Sequence, residues 1–213
     1  MLSMEQISEG GVVPVVVLNN VADAVPTAKA LLAGGINVME ITFRTAAAPE
    51  CISEVAAKVP EMIVGAGTIV NCEQLRQAVS AGAKFIVSPG SDADVIAEAN
   101  ALNVPIVPGV VTPSEIMMGL KMGITTFKFF PAEAYGGLKT IKNLCGPFPQ
   151  IKFVPTGGIN QNNAEEYLKH PKIQAIGGSW MVSAAMIEAG QFDEITAKSK
   201  AATELAKQAR AAK

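Results

Sequence analysis

The chain has 213 residues, of which 49% are hydrophobic and 17% charged, and its net charge at pH 7 is −2. This length suits one domain, or at most two, with a substantial core, and the composition excludes a disordered chain. The balance of charge shows neither the basic excess nor the basic cluster of a nucleic-acid binder, so any site for an anion must draw its positive potential locally.

The opening MLSMEQISEGGVV has no basic stretch leading into a long apolar one, so no signal peptide is expected. Its first nine residues are expected to form a short helix. Short β-type runs then alternate with helical stretches. The runs are VVPVVVL from 12, NVMEITF from 37, MIVGAGT from 62, FIVSPG from 85, VPIVPGV from 104, TTFKFFP from 125, KFVPTGG from 152 and AIGGSWM from 175. Between them lie segments such as VADAVPTAKALLAGG and NCEQLRQAVSAGA, many ending in Gly, which suits a position just past a helix end. FDEITAKSKAATELAKQARAA closes the chain as a terminal helix. Strand-to-strand spacing of about 23 residues is that of compact βα repeats. Eight such units predict an α/β fold: a single (β/α)8 TIM barrel spanning residues 1–213, with the short N-terminal helix covering its bottom. The competitor is an open doubly wound sheet, which usually has fewer strands.

No apolar run approaches the roughly 20 residues of a membrane span. Cys51, Cys72 and Cys145 show no paired CxxC spacing, so small buried hydrophobes in a reduced, cytoplasmic compartment are the natural expectation. The single histidine, His170, excludes HExxH and two-histidine metal sites within one chain, and no metal site is expected.

The chemistry-bearing stretch is TTFKFFPAE, which sets Lys128 among phenylalanines. A buried lysine needs a partner or a task, since burial disfavours its charged form and frees its amine as a nucleophile. In such barrels the chemistry lies at the C-terminal strand ends, and Glu40, Arg44, Thr68, Ser88, Lys128, Thr156 and Ser179 all fall there. Strand alternation places Glu40, Thr42 and Arg44 on one face, Thr126, Lys128 and Phe130 on another shared face, and Thr156 with Val154. Together these aim Glu40, Arg44, Lys128 and Thr156 at one interior. A neutral Lys128 can form a Schiff base with a carbonyl, Glu40 can move the proton, and Arg44 offers a planar fork for a carboxylate. A purely structural charge network is the other reading.

PTGGIN and IGGSW end the last two strands, where barrels commonly bind phosphate through backbone N–H groups. Simple tight turns would use glycine there too. GAGT at 65 lacks the full GxGxxG of a dinucleotide site, SPG at 88 either shapes the mouth or ends a strand, and the Met pair of SEIMMGLKMG has the spacing of a core face.

With EITFRT, VGAGT, SPG, FKFFPAE, PTGGI and GGSW standing in this order, the chain resembles the 2-dehydro-3-deoxy-phosphogluconate aldolase family, often bifunctional with 4-hydroxy-2-oxoglutarate aldolase. The resemblance runs from VVPVVVL to GGSWM. It implies a class I aldolase without metal or cofactor, acting on a phosphorylated keto-acid, cytoplasmic and homotrimeric. It makes Lys128 the Schiff-base lysine and Glu40 the proton-transferring carboxylate. Arg44 and Thr68 resemble the residues that hold the pyruvate carboxylate, and Thr156 a further keto-acid contact. Gly157, Gly158, Gly178 and Ser179 correspond to the phosphate loops. Three alternatives stay open: a metal-dependent enzyme on the same barrel, the related phosphogalactonate aldolase, and a catalytically silent barrel that binds a phosphorylated ligand.

Overall fold

The computed structural model describes residues 3–211. Among them are strands β1 (Val12–Val16), β2 (Val38–Thr42), β3 (Ile63–Gly67), β4 (Ile86–Val87), β5 (Ile106–Val107), β6 (Gly109–Val110), β7 (Thr126–Phe129), β8 (Lys152–Pro155) and β9 (Ile176–Gly178). Helices α1 (Met4–Ser8), α2 (Ala24–Ala33), α3 (Ala48–Lys58), α4 (Cys72–Ser80), α5 (Ala93–Ala101), α6 (Pro113–Lys121), α7 (Gly137–Cys145), α8 (Ala164–Lys169), α9 (Ala184–Glu188) and α10 (Phe192–Ala211) fall between and after them.

All strand pairs are parallel. Six strands form a curled sheet in the order β5-β4-β3-β2-β1-β9, and β6-β7-β8 form a second ladder. The strands of β1 and β2 are buried at every position, as parallel strands covered on both faces must be, which explains their near-continuous apolar runs. The predicted fifth strand is split. Pro108 has no N–H to give to a ladder, so Ile106–Val107 pairs with β4 while Gly109–Val110 pairs with β7. Between β8 and β9 only isolated bridges occur, Phe153 with Ile173 and Thr156 with Gly177. The expected alternation of strand and helix is thus met as a curled parallel α/β fold, with its hydrogen-bonded ladders in two sheets.

Local signals set the helix ends. Asn71 and Asp92 accept from the N–H groups of Gln74 and Val95 at 2.8 and 2.9 Å, capping α4 and α5. The short N-terminal helix is present as α1. Its Ile7 and Ser8 are buried, and the Arg210 guanidinium of α10 donates to the carbonyls of Ser8, Glu9 and Gln174. One expectation fails: Met117 is 62% exposed, because α6 buries Ile116 and Gly119 and turns Met117 outward.

Candidate active site

Strand β7 carries Lys128 and strand β2 carries Glu40, both nearly inaccessible at 4% and 3% exposure. Lys128 Nζ stands 3.4 Å from Glu40 Oε1 as a buried ion pair. Alternation around Lys128 is as the sequence predicts. Phe127 and Phe129 face the other way into the apolar layer, where Phe129 meets Phe153 edge-to-face at 6.0 Å. The Phe130 ring lies on the lysine's side, its centroid 5.1 Å from Nζ. Below the pair is an enclosed cavity of about 20 Å³, with room for about one water. Val154 and Thr156 line it beside Glu40 and Lys128, and Met4, Ile7 and Ser8 of α1 form its floor. A larger hollow of about 320 Å³, around Asn103, Ile106 and Thr126, opens at the N-terminal strand ends, away from the polar residues at the C-terminal ends.

Three glycines make this geometry possible. A Cβ on Gly67 would stand 2.0 Å from Glu40 Oε1, one on Gly65 would run into the Phe85 ring, and one on Gly177 would stand 2.3 Å from Thr156 Oγ1. In VGAGT, Gly67 therefore clears space for the carboxylate and Gly65 for the Phe85 ring. Sequence reasoning missed these residues, although glycine inside a strand is itself a signal of close approach.

Two further residues differ from a simple strand projection. β2 ends at Thr42, so Arg44 sits in the following turn and is not placed by alternation. It is exposed, and among the described residues it has no ion-pair partner, which leaves its planar fork open to a carboxylate. Thr68, just past β3, has φ +60°, left-handed backbone that is a clear outlier for a β-branched residue. Strain of this kind persists where the surroundings over-determine it and clusters at ligand sites. Ser88 is buried at the end of β4, where its N–H donates to Val107 O at 3.2 Å. Thr156 is 7% exposed.

The loop glycines have steric duties of their own. Gly157 and Gly158 have φ +98° and +81°, and a Cβ on Gly158 would stand 2.5 Å from Glu133 Cγ. A Cβ on Gly178 would meet the Trp180 ring at 2.0 Å. Ser179 is exposed just after β9. Among the described residues no group of three or more His, Cys, Asp or Glu is placed to hold a metal ion, and no helix is long and apolar enough to cross a membrane.

Such a pair is what amine attack on a ketone needs: a desolvated lysine beside a group that can exchange protons. The family model for KDPG and KHG aldolases matches residues 4–198. The chain is 49% identical over 207 residues to the 2-dehydro-3-deoxy-phosphogluconate aldolase of Pseudoalteromonas atlantica, covering 97% of this chain and 93% of that one. It is 47% identical over 201 residues to the KHG/KDPG aldolase of Escherichia coli K12, covering 94% of each. Among solved structures, the KDPG aldolase from Legionella pneumophila, with pyruvate captured at low pH as a covalent carbinolamine intermediate, superposes with a TM-score of 0.92 at 40% identity. That match covers 94% of this chain and 98% of the other.

Proposed function

This chain belongs to the KDPG and KHG aldolase family, and on that premise we propose the roles of its residues. The protein is a class I aldolase, a lyase. It cleaves 2-dehydro-3-deoxy-6-phosphogluconate (KDPG) to pyruvate and glyceraldehyde 3-phosphate, the aldol step of the Entner–Doudoroff pathway, and 4-hydroxy-2-oxoglutarate (KHG) to pyruvate and glyoxylate.

In our reading, Lys128 Nζ attacks the C2 ketone to give a carbinolamine, which loses water to become an iminium. The C3–C4 bond then breaks. Its electron pair passes into the iminium to form an enamine, while the C4 hydroxyl gives its proton to the Glu40 carboxylate and becomes the departing aldehyde. Glu40 returns a proton to C3, and water releases pyruvate and free Lys128. Arg44 and the strained Thr68 hold the carboxylate, and Thr156 contacts the keto-acid from β8. The phosphate lies against the loops of Gly157, Gly158, Gly178 and Ser179, which contain no Lys or Arg, so backbone N–H groups supply the positive potential.

The observation that carries this assignment is the buried Lys128–Glu40 pair at 3.4 Å. Borohydride reduction in the presence of pyruvate, followed by peptide mapping, tests it. The adduct is expected on Lys128; an adduct on Lys84 or Lys152, or an active Lys128→Ala enzyme, would remove Lys128 from the mechanism. The phosphate reading is tested by Ser179→Ala, which should lower kcat/KM for KDPG several-fold, about 1 kcal/mol for a lost hydrogen bond, and spare KHG.

The reading extends to architecture. The isolated bridges between β8 and β9, and the relay from β5 to β6 across Pro108, support a complete (β/α)8 barrel closed as one domain. A cytoplasmic homotrimer is the assembly we propose from the family resemblance, and sedimentation of the native enzyme tests it.

A further inference from the structure

The loop after β8 is held from behind, and the way it is held fixes where its N–H groups point. Gly157 O accepts from Glu133 N–H at 3.1 Å. Gly158 O accepts from the side-chain amides of Asn163 at 3.0 Å and Asn160 at 3.3 Å. Among the described residues the one cis peptide bond is Phe130–Pro131, so the bonds of this loop are trans. In a planar trans peptide the C=O of one residue and the N–H of the next point in opposite directions. With its Gly157 carbonyl turned to Glu133, the Gly158 N–H points away from the β7–α7 loop. With the Gly158 carbonyl turned to Asn163, the Ile159 N–H points away from α8. Among the described residues neither N–H has an acceptor, and an N–H left so is satisfied by water or by a ligand.

Two side chains maintain this arrangement. The Asn163 amide is oriented by its own oxygen, which accepts from Asn160 N–H at 2.8 Å and so turns Nδ2 toward Gly158. The Glu133 stem fills the space behind Gly158 Cα, where a Cβ would stand 2.5 Å from its Cγ. Tyr167, buried on α8, fixes that carboxylate by donating its hydroxyl to Oε1. Left-handed φ at Gly157 and Gly158 completes the turn.

We propose that Asn163 and Glu133 are positioning residues for the phosphate end of the substrate, holding the Gly158 and Ile159 N–H groups toward the bound anion. This rests on the reading that the loop takes the phosphate. Neither side chain touches the reacting carbons, so their loss should appear in binding of the phosphorylated substrate and not in the chemical step.

The experiment compares kcat and KM for KDPG and for KHG, which carries no phosphate, in Asn163→Asp, Glu133→Ala and Glu133→Gln. Asn163→Asp keeps the oxygen that accepts from Asn160 and removes the Asn163 donor to Gly158, leaving that of Asn160. Because it also adds a negative charge near the phosphate, Glu133→Ala, which removes one, must show the same selectivity for the positioning role to stand. Loss of one such tether should raise KM for KDPG roughly tenfold, with a much smaller change in its kcat and in either constant for KHG. Glu133→Ala should give the same selectivity, and Glu133→Gln, which still accepts from Tyr167, should restore wild-type values. Equal losses on the two substrates, or an Asn163→Asp enzyme indistinguishable from wild type, would overturn the proposal. Ser179→Ala separates the two levels of the argument. Selectivity in Ser179→Ala without selectivity in Asn163→Asp sinks the positioning role alone, and selectivity in neither sinks the phosphate reading as well.

Discussion

At the scale of single residues, the site is built from groups that the fold tolerates only in combination. Lys128 and Glu40 are each almost wholly buried, and each is the other's ion-pair partner. Removing one leaves an uncompensated buried charge, which typically costs about 3–5 kcal/mol, whereas replacing both by apolar or neutral groups of similar size is often close to neutral. Lys128→Met should therefore be inactive and clearly destabilised in urea. The double variant Lys128→Met/Glu40→Gln should recover most of the stability and none of the activity. An additive loss in the double variant would show that the pair is not coupled. Thr68 makes the opposite trade. Its left-handed backbone costs roughly 1–2 kcal/mol for a residue with a Cβ, and glycine removes that cost. Thr68→Gly is expected to raise the urea midpoint while raising KM for both keto-acids; a destabilised Thr68→Gly protein would show that the side chain has structural contacts worth more than the strain.

Among the elements, helix α6 shows how a local motif carries a pH dependence. Thr112 and Glu115 form a reciprocal capping box, and Glu115 Oε2 accepts from Val111 N–H, Thr112 N–H and Thr112 Oγ1, each at 2.8 Å. Burial pushes the Glu115 carboxyl up, but the donors of Val111 and Thr112 outweigh it and hold the carboxyl below its ordinary value of 4.5. A carboxyl lowered by folding contributes stability that is present above 4.5 and lost as the pH falls through the folded value. Glu115→Gln should thus be about 1 kcal/mol less stable than wild type at pH 7, with the gap closing on acidification below 4.5. A gap independent of pH would mean that the charge is not the stabilising part. Much of this layer was legible in the sequence. Apolar runs and glycine stops located the strands and helices because both are local signals, and alternation correctly put Lys128, Thr156 and Glu40 on one side. Alternation does not reach Arg44, because the strand stops two residues earlier, and VPIVPGV was read as one strand because its pairing partners on either side of Pro108 are far away in sequence. The support of Gly158 by Asn163 and Glu133 was invisible for the same reason: it depends on which carbonyl of a loop faces which neighbour.

At the scale of the whole molecule, Arg210 binds the floor of the reaction cavity to the rest of the fold. Its guanidinium reaches the carbonyls of Ser8, Glu9 and Gln174, and burial lowers its affinity for the proton. A Lys ammonium is a point charge and cannot serve that fork of acceptors. Both Arg210→Ala and Arg210→Lys should cost about 2 kcal/mol, lowering Tm by roughly 4–8 °C for a chain of this size. Full stability in Arg210→Lys would show that charge, not the fork, matters. The latch also imposes a schedule. Ser8 and Arg210 are 202 positions apart in the chain, so the contact that secures α1 is among the most costly in loop-closure entropy that the molecule makes. At ribosomal rates of about 5–20 residues per second, α1 emerges roughly 10–40 s before the arginine that fastens it. A nascent chain can therefore bring Lys128 and Glu40 together while the chamber beneath them is still open to water. If Arg210 is what seals the floor, chains arrested before it emerges should carry a Lys128 that is in place but hydrated from below, and hydrogen exchange on such arrested chains should find α1 unprotected; full protection of α1 without Arg210 would show that the latch sets no schedule.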